Sequence, residues 1–106
     1  MNNALEKVVT RIVQEIQPDR IILFGSQARE DYSGESDYDI CVIKEGIEHR
    51  RKLAQQIYKL LYGVGVAVDV IVETPESFDE LKDDPFFVYK EIAKDGRVLY
   101  EKPVTR

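Results

Sequence analysis

Apolar residues near the start of the chain recur at helical spacing: Leu5, Val8, Val9, Ile12, Val13 and Ile16. Glu6, Lys7, Arg11, Gln14 and Glu15 take the opposite face. The stretch predicts an amphipathic helix that Pro18 ends. The pattern then changes to a continuous apolar run, Ile21, Ile22, Leu23 and Phe24, closed by Gly25. So short and β-branched a run predicts a buried strand. Ser26 can cap a short helix reaching Arg29 to Asp31. Polar residues 31–36, pivoting on Gly34, predict a loop. Asp37-Tyr38-Asp39 leads into a second apolar run, Ile40, Cys41, Val42 and Ile43, which predicts a second strand.

Residues 47–62 predict a second amphipathic helix, with Ile47, Leu53, Ala54, Ile57, Tyr58, Leu60 and Leu61 as its apolar set and Gly63 and Gly65 beyond its end. Residues 66–72 predict a third strand whose only acid is Asp69. Thr74 and Pro75 mark a helix start, with an N-cap followed by proline at the first position. Asp84-Pro85 predicts a further helix, ended by Gly96, whose Phe86, Phe87, Val88, Tyr89, Ile92 and Ala93 offer a broad apolar surface. Val98, Leu99 and Tyr100 predict a short last strand. Core packing is the expected use of most of the six tyrosines and four phenylalanines.

A length of 106 residues allows one small domain, taken as residues 1–106. A net charge of -5 argues against sequence-independent nucleic-acid binding, which needs a basic footprint. The short basic cluster His49-Arg50-Arg51-Lys52 reads as a solvated helix face, and His49, the sole histidine, carries little weight as a base or ligand. Cys41 is the only cysteine, so no internal disulfide is possible, and its apolar neighbours predict a small buried thiol. Nothing approaches the ~20 apolar residues of a membrane span, and the N-terminus lacks a signal-peptide pattern. A cytoplasmic protein is expected.

The candidate chemistry lies between Gly25 and Asp69. Gly25 leaves room for a ligand against the main chain, and a helix start at Ser26 would offer free N–H groups to phosphate oxygens. A plain strand–turn–helix with a capping serine would show the same two residues. Asp37 and Asp39, two apart on a strand, point the same way. Two like charges so close repel unless a cation lies between them, and Mg²⁺ is the hard, oxygen-seeking choice. The bland alternative is an acidic loop end facing water. Asp69, flanked by β-branched residues, is costly to bury unless paired or bound to a cation; otherwise it is a partly exposed edge-strand acid. Together the three carboxylates and the Gly-Ser turn are the parts of a metal-dependent phosphate-handling site.

Gly25-Ser26, ten intervening residues and then Asp37-Tyr38-Asp39 resemble the signature of the DNA-polymerase-β-like nucleotidyltransferases, and within them the minimal nucleotidyltransferase family. The similarity takes in the segment GSQAREDYSGESDYDICVI, Asp69 and the ending DGRVLYE. Glu30 departs from it, standing where the family usually has glycine. The resemblance implies an α/β (α+β) fold, a mixed sheet of three to four strands with packed helices and the site at the sheet's end. It implies that Asp37 and Asp39 hold Mg²⁺, and that Asp69 shares a metal and helps deprotonate the attacking hydroxyl. Gly25 and Ser26, with Arg29 as helper, would hold the nucleotide phosphates. Two ions about 4 Å apart can stabilise both the entering and the leaving oxygen.

Larger members of that superfamily carry extra domains for the acceptor, and this length leaves no room for one. Minimal modules resemble antitoxins paired with HEPN-domain toxins. The expected reaction is therefore transfer of AMP from ATP to a tyrosine of a partner HEPN-domain toxin, within a hetero-oligomer. Two alternatives stand beside it. One is a small-molecule adenylyltransferase similar to the aminoglycoside-modifying enzymes, and the other a module that neutralises its partner by contact alone.

Overall fold

A computed structural model describes residues 3–29 and 37–103. Nine elements follow one another: α1 (Asn3–Ile16), β1 (Arg20–Phe24), α2 (Ser26–Arg29), β2 (Tyr38–Ile43), α3 (Arg50–Leu60), β3 (Val68–Glu73), α4 (Pro75–Leu81), α5 (Tyr89–Asp95) and β4 (Arg97–Glu101). The strands form one mixed sheet in the order β3-β2-β1-β4. β1 runs antiparallel to both neighbours, while β2 and β3 are parallel and joined through α3. Parallel neighbours need such a crossover, because a tight hairpin can join only antiparallel strands. The expected mixed α+β architecture is thus present, with four strands.

Side chains alternate across the sheet and divide the core in two. Ile21, Leu23, Ile40, Val42 and Val72 face Val8, Ile12 and Ile16 of α1, Ile57 of α3 and Ala28 of α2. Ile22, Phe24, Cys41 and Ile43 face Phe78 of α4 and Ile92 of α5. Each fully buried aliphatic side chain contributes about 1.5–3 kcal/mol, so β1 and β2, whose last four residues are all buried, are the sheet's hydrophobic centre. Cys41 is the expected buried thiol; burial, with Glu73 nearby, pushes its pKa up to about 12. Arg11 of α1 donates to the carbonyls of Leu60 and Tyr62, each at 3.0 Å, and so caps the C-terminal end of α3. Thr74 caps α4 as its sequence implied, accepting from the Ser77 N–H at 3.2 Å.

Three expectations change. The second helix begins at Arg50, not residue 47, because His49 is extended. Within the basic cluster, Arg50 does more than face solvent, as shown below. The last helix begins at Tyr89, because the Asp84 side chain accepts the Phe86 N–H at 2.9 Å and closes a local turn first. The aromatic residues divide: among the described ones Phe24 and Phe78 are buried and Tyr38, Tyr89 and Tyr100 pack against the core, while Tyr58, Tyr62, Phe86 and Phe87 are exposed. No helix among the described residues is long and apolar enough to cross a membrane.

The third strand extends one residue beyond its apolar run and ends on Glu73, 5% exposed and the one charged side chain of the buried core among the described residues. Its Oε1 accepts from Arg50 Nη2 at 2.6 Å, from Arg50 Nε at 3.1 Å and from the Thr74 N–H at 2.9 Å. Its Oε2 accepts from the Tyr89 hydroxyl at 2.8 Å. Burial alone would raise its pKa, but these donors outweigh burial and hold the carboxyl below its usual range. One carboxylate thereby ties the start of α3, the end of β3 and the start of α5 together. A carboxyl with a lowered folded pKa stabilises the fold above its unfolded pKa and loses that contribution as pH falls through the folded value. Glu73→Gln should therefore cost about 2 kcal/mol at pH 7, with the gap from the parent closing below about pH 4. Urea titrations across that range check it; a gap that does not narrow in acid would mean that Glu73 stabilises through shape rather than charge.

Candidate active site

The predicted acids meet at one end of the sheet, where β1 finishes and β2 and β3 begin. The parallel register sets Asp39 directly beside Asp69. The antiparallel register sets Phe24 beside Asp39, which brings the following Gly25 against the Asp39 side chain. Asp37 lies one residue before β2 and is exposed, and Asp69 is exposed on the edge strand β3. Asp39, half-buried, sits between them on the face covered by α4 and α5, since Tyr38 and Ile40 pack toward the other face.

Gly25 has a φ of 75°, in the left-handed region that favours glycine. A Cβ at this position would lie 2.5 Å from Oδ2 of Asp39. Two independent constraints therefore require glycine here: the turn into α2 and the close approach of the Asp39 carboxylate. Ser26 and Arg29 are the first and last residues of α2. Their side chains, and Glu30, lie outside the described residues.

Burial raises the Asp39 pKa first, and the charges of Asp69, Asp37 and Glu91 raise it further. Glu91 is the residue the sequence did not point to. It lies on α5, and its charge acts on Asp39 only because α5 packs across β1. Nothing local in the sequence marks it, since its position depends on a long-range contact.

Asp69 is also placed differently from the costly buried acid weighed above. It is the exposed edge-strand acid, and its proximity to Asp39 comes from register rather than burial. Among the described residues no three His, Cys, Asp or Glu side chains are gathered tightly enough to enclose a metal ion. The donor chemistry nevertheless fits Mg²⁺, which is commonly held by one or two carboxylates together with substrate phosphates. All the donors are carboxylate oxygens, and their mutual repulsion is the kind that a shared cation relieves. The arrangement suits neutralising and orienting a polyphosphate.

Fold and acids together define a class. The nucleotidyltransferase domain family matches residues 5–99, and the chain belongs to it. The chain is 40% identical over 81 residues to a Methanocaldococcus jannaschii protein named "Putative protein adenylyltransferase", covering 76% of this chain and 77% of that one. Its fold resembles the crystal structure of a nucleotidyltransferase described as "putative" from Sulfolobus solfataricus, with a TM-score of 0.68 at 22% identity, over 93% of this chain and 78% of that one. It also resembles a toxin-antitoxin crystal structure with AMP-PNP, with a TM-score of 0.63 at 22% identity, over 95% and 75% of the two chains.

Two outcomes follow from this geometry. An acid whose folded pKa is raised stabilises the fold below its unfolded pKa and loses that contribution as pH rises through the folded value. At pH 7 without metal, Asp39→Asn should therefore raise the melting temperature, by about 3–6 °C. MgCl₂ with ATP should stabilise the parent more than the variant; an equal response in thermal melts would remove Asp39 from the ligand site. Gly25→Ala tests the close approach. In an Asp39→Ala background it should cost about 1 kcal/mol, the left-handed strain alone, and clearly more in the parent. Equal costs in a double-mutant cycle by urea unfolding would show that the carboxylate does not press on Gly25.

Proposed function

We propose that this nucleotidyltransferase moves AMP from ATP to a tyrosine hydroxyl of a partner toxin of the HEPN class, and so silences it. The observation that carries this reading is Asp39, held between the bare main chain of Gly25 and the Asp69 carboxyl at the open end of the sheet. The relationship to a protein named as a protein adenylyltransferase supports a protein acceptor, and the likeness in fold to a toxin-antitoxin structure with AMP-PNP, an ATP analogue, is in keeping with ATP and a toxin partner.

In this reading Asp37 and Asp39 would hold Mg²⁺, and Asp69 would share it and draw the proton from the acceptor hydroxyl. Gly25 and Ser26 lie along the triphosphate, with Arg29 beside them. The acceptor oxygen bonds to the α-phosphorus. The bond from that phosphorus to the oxygen bridging to the β-phosphate breaks, and pyrophosphate leaves with the electron pair. The acceptor proton passes through the carboxylate to solvent. Bound at this site, Mg²⁺ would supply positive charge to the triphosphate and the departing pyrophosphate. The chain's own contribution is orientation: two strand registers fix the acids, and the missing Cβ at Gly25 leaves space beside them.

AMP on a tyrosine adds a phosphodiester charge and a bulky base. Beside an RNA-binding cleft these would repel and block substrate. Incubated with ATP, Mg²⁺ and its partner toxin, the protein should leave the toxin heavier by AMP residues on intact-mass measurement. Inhibition should then persist after the two are separated. Asp39→Asn should slow the transfer by about 100-fold or more, the scale of losing a group that manages transition-state charge. An unmodified toxin that is still inhibited, and equally so by Asp69→Asn, would leave contact alone as the mechanism.

A further inference from the structure

The turn before α5 presents an apolar surface that the fold does not use. Phe86 is 92% exposed, Phe87 46% and Val88 37%, and they are consecutive. Isolated exposed apolar residues need no explanation, but a contiguous group marks an interaction site. The group is also held in place. The Asp84 side chain accepts the Phe86 N–H at 2.9 Å, and the Asp84 carbonyl accepts the Phe87 N–H at 3.2 Å. Phe87 stacks on Tyr89, ring centroids 6.4 Å apart at 17°, and the Tyr89 hydroxyl is bound to the buried Glu73. A line of contacts thus runs from the core to the Phe87 ring, and the backbone of Phe86 is fixed beside it, so little backbone ordering would be lost on binding.

Two further features describe what would settle there. Residues 85–88 share an open hollow with Lys90, Glu91 and Lys94. Two exposed lysines beside an apolar surface, in a chain of net charge -5, favour an acidic partner. Glu91 lines this hollow, and α5, which carries it, packs on the face of the sheet that bears Asp39. The hollow is shallow, which suits a polypeptide better than a nucleotide base, whose sites are concave and enclosing.

We propose that residues 85–88, with Lys90 and Lys94, form the docking surface for the acceptor polypeptide, gripping an aromatic or aliphatic side chain flanked by acidic residues close to the hydroxyl to be modified. This rests on the protein-acceptor reading above and names how that acceptor is held. Phe86 is the anchor, since it is the large aromatic with the most open surface to bury, and buried aromatics carry most of the affinity of such contacts. Lys90 and Lys94 set which sequences approach.

A random glutamate–tyrosine copolymer, fluorescently labelled, is a suitable probe, because it is acidic, aromatic and carries acceptor hydroxyls. Its binding is read by anisotropy without Mg²⁺ or ATP, and Mg²⁺–ATP binding is read separately by equilibrium dialysis. Phe86→Ser changes a side chain that supports no core contact, and Lys90→Glu changes one on the helix surface. Each should weaken copolymer binding by about tenfold and leave Mg²⁺–ATP affinity unchanged. In AMP transfer to the copolymer, Phe86→Ser should raise the KM for copolymer and spare kcat. No binding by the parent, or binding unaffected by both substitutions, overturns the proposal. A matching loss of Mg²⁺–ATP affinity also overturns it, and assigns the surface to the nucleotide. If the copolymer binds through Phe86 but no AMP is transferred to it, docking stands and the adenylyl-transfer reading fails. If AMP is transferred equally well by Phe86→Ser at unchanged KM, the transfer reading stands and docking fails.

Discussion

A carboxylate charge placed partway into a β-sheet, beside further carboxylates, sets the terms for this structure. Asp39 stands next to Asp69 on one neighbouring strand and against Gly25 at the end of the other. Each contact is imposed by strand register, and a slip of one residue would turn Asp39 to the opposite face. The apolar runs of β1 and β2 fix that register, because their buried residues fill two separate cores at once. The hydrophobic energy of the sheet thus holds together charges that repel one another. Burial and three other carboxylates raise the Asp39 pKa, so the folded chain stores an unfavourable interaction that a cation and a polyphosphate can relieve. Storage of this kind is a common property of sites that act on charged substrates.

The same strand treats its two acids in opposite ways. Asp69 near its start is exposed and set beside Asp39, whereas Glu73 at its end is buried and surrounded by donors. The rule that a buried carboxylate must be satisfied is obeyed at Glu73. There it joins three elements, and through Tyr89 it positions α5, which carries both Glu91 and the exposed aromatic turn. The two ends of β3 divide the work: one holds the scaffold, and the other presents the chemistry.

Much of this could be read in the chain beforehand, for identifiable reasons. The apolar runs at 21–24 and 40–43 are long enough and bounded clearly enough to mark the central strands, and Thr74-Pro75 carries its own helix-start signal. Spacing within the Gly25–Asp39 segment brought Asp37 and Asp39 to notice, and Asp69 stood out as the only acid in an apolar run. What was missed depends on distant contacts. Glu91 reaches Asp39 only through the packing of α5, and Glu73 looks like a strand-ending polar residue until Arg50 and Tyr89 arrive from elsewhere. Asp69 was weighed as a buried charge because an apolar strand resembles a central one, yet β3 lies at the edge, where one side is open. Phe86 and Phe87 stand outside the core for a simpler reason: hydrophobicity says nothing about whether a turn will hold a ring outward. Asp84 decided that with a single side-chain hydrogen bond.

The site depends on Asp39 being held at elevated pKa by burial and its neighbours and released by a cation. Its carboxyl carbon can be followed by NMR through a pH titration, with the resonance assigned from the Asp39→Asn spectrum. The expected result is a metal-free titration above the usual carboxylate range, moving down when Mg²⁺ and an ATP analogue are added. An ordinary pKa that ignores Mg²⁺ would contradict it, because the repulsion on which the site is built would then be absent.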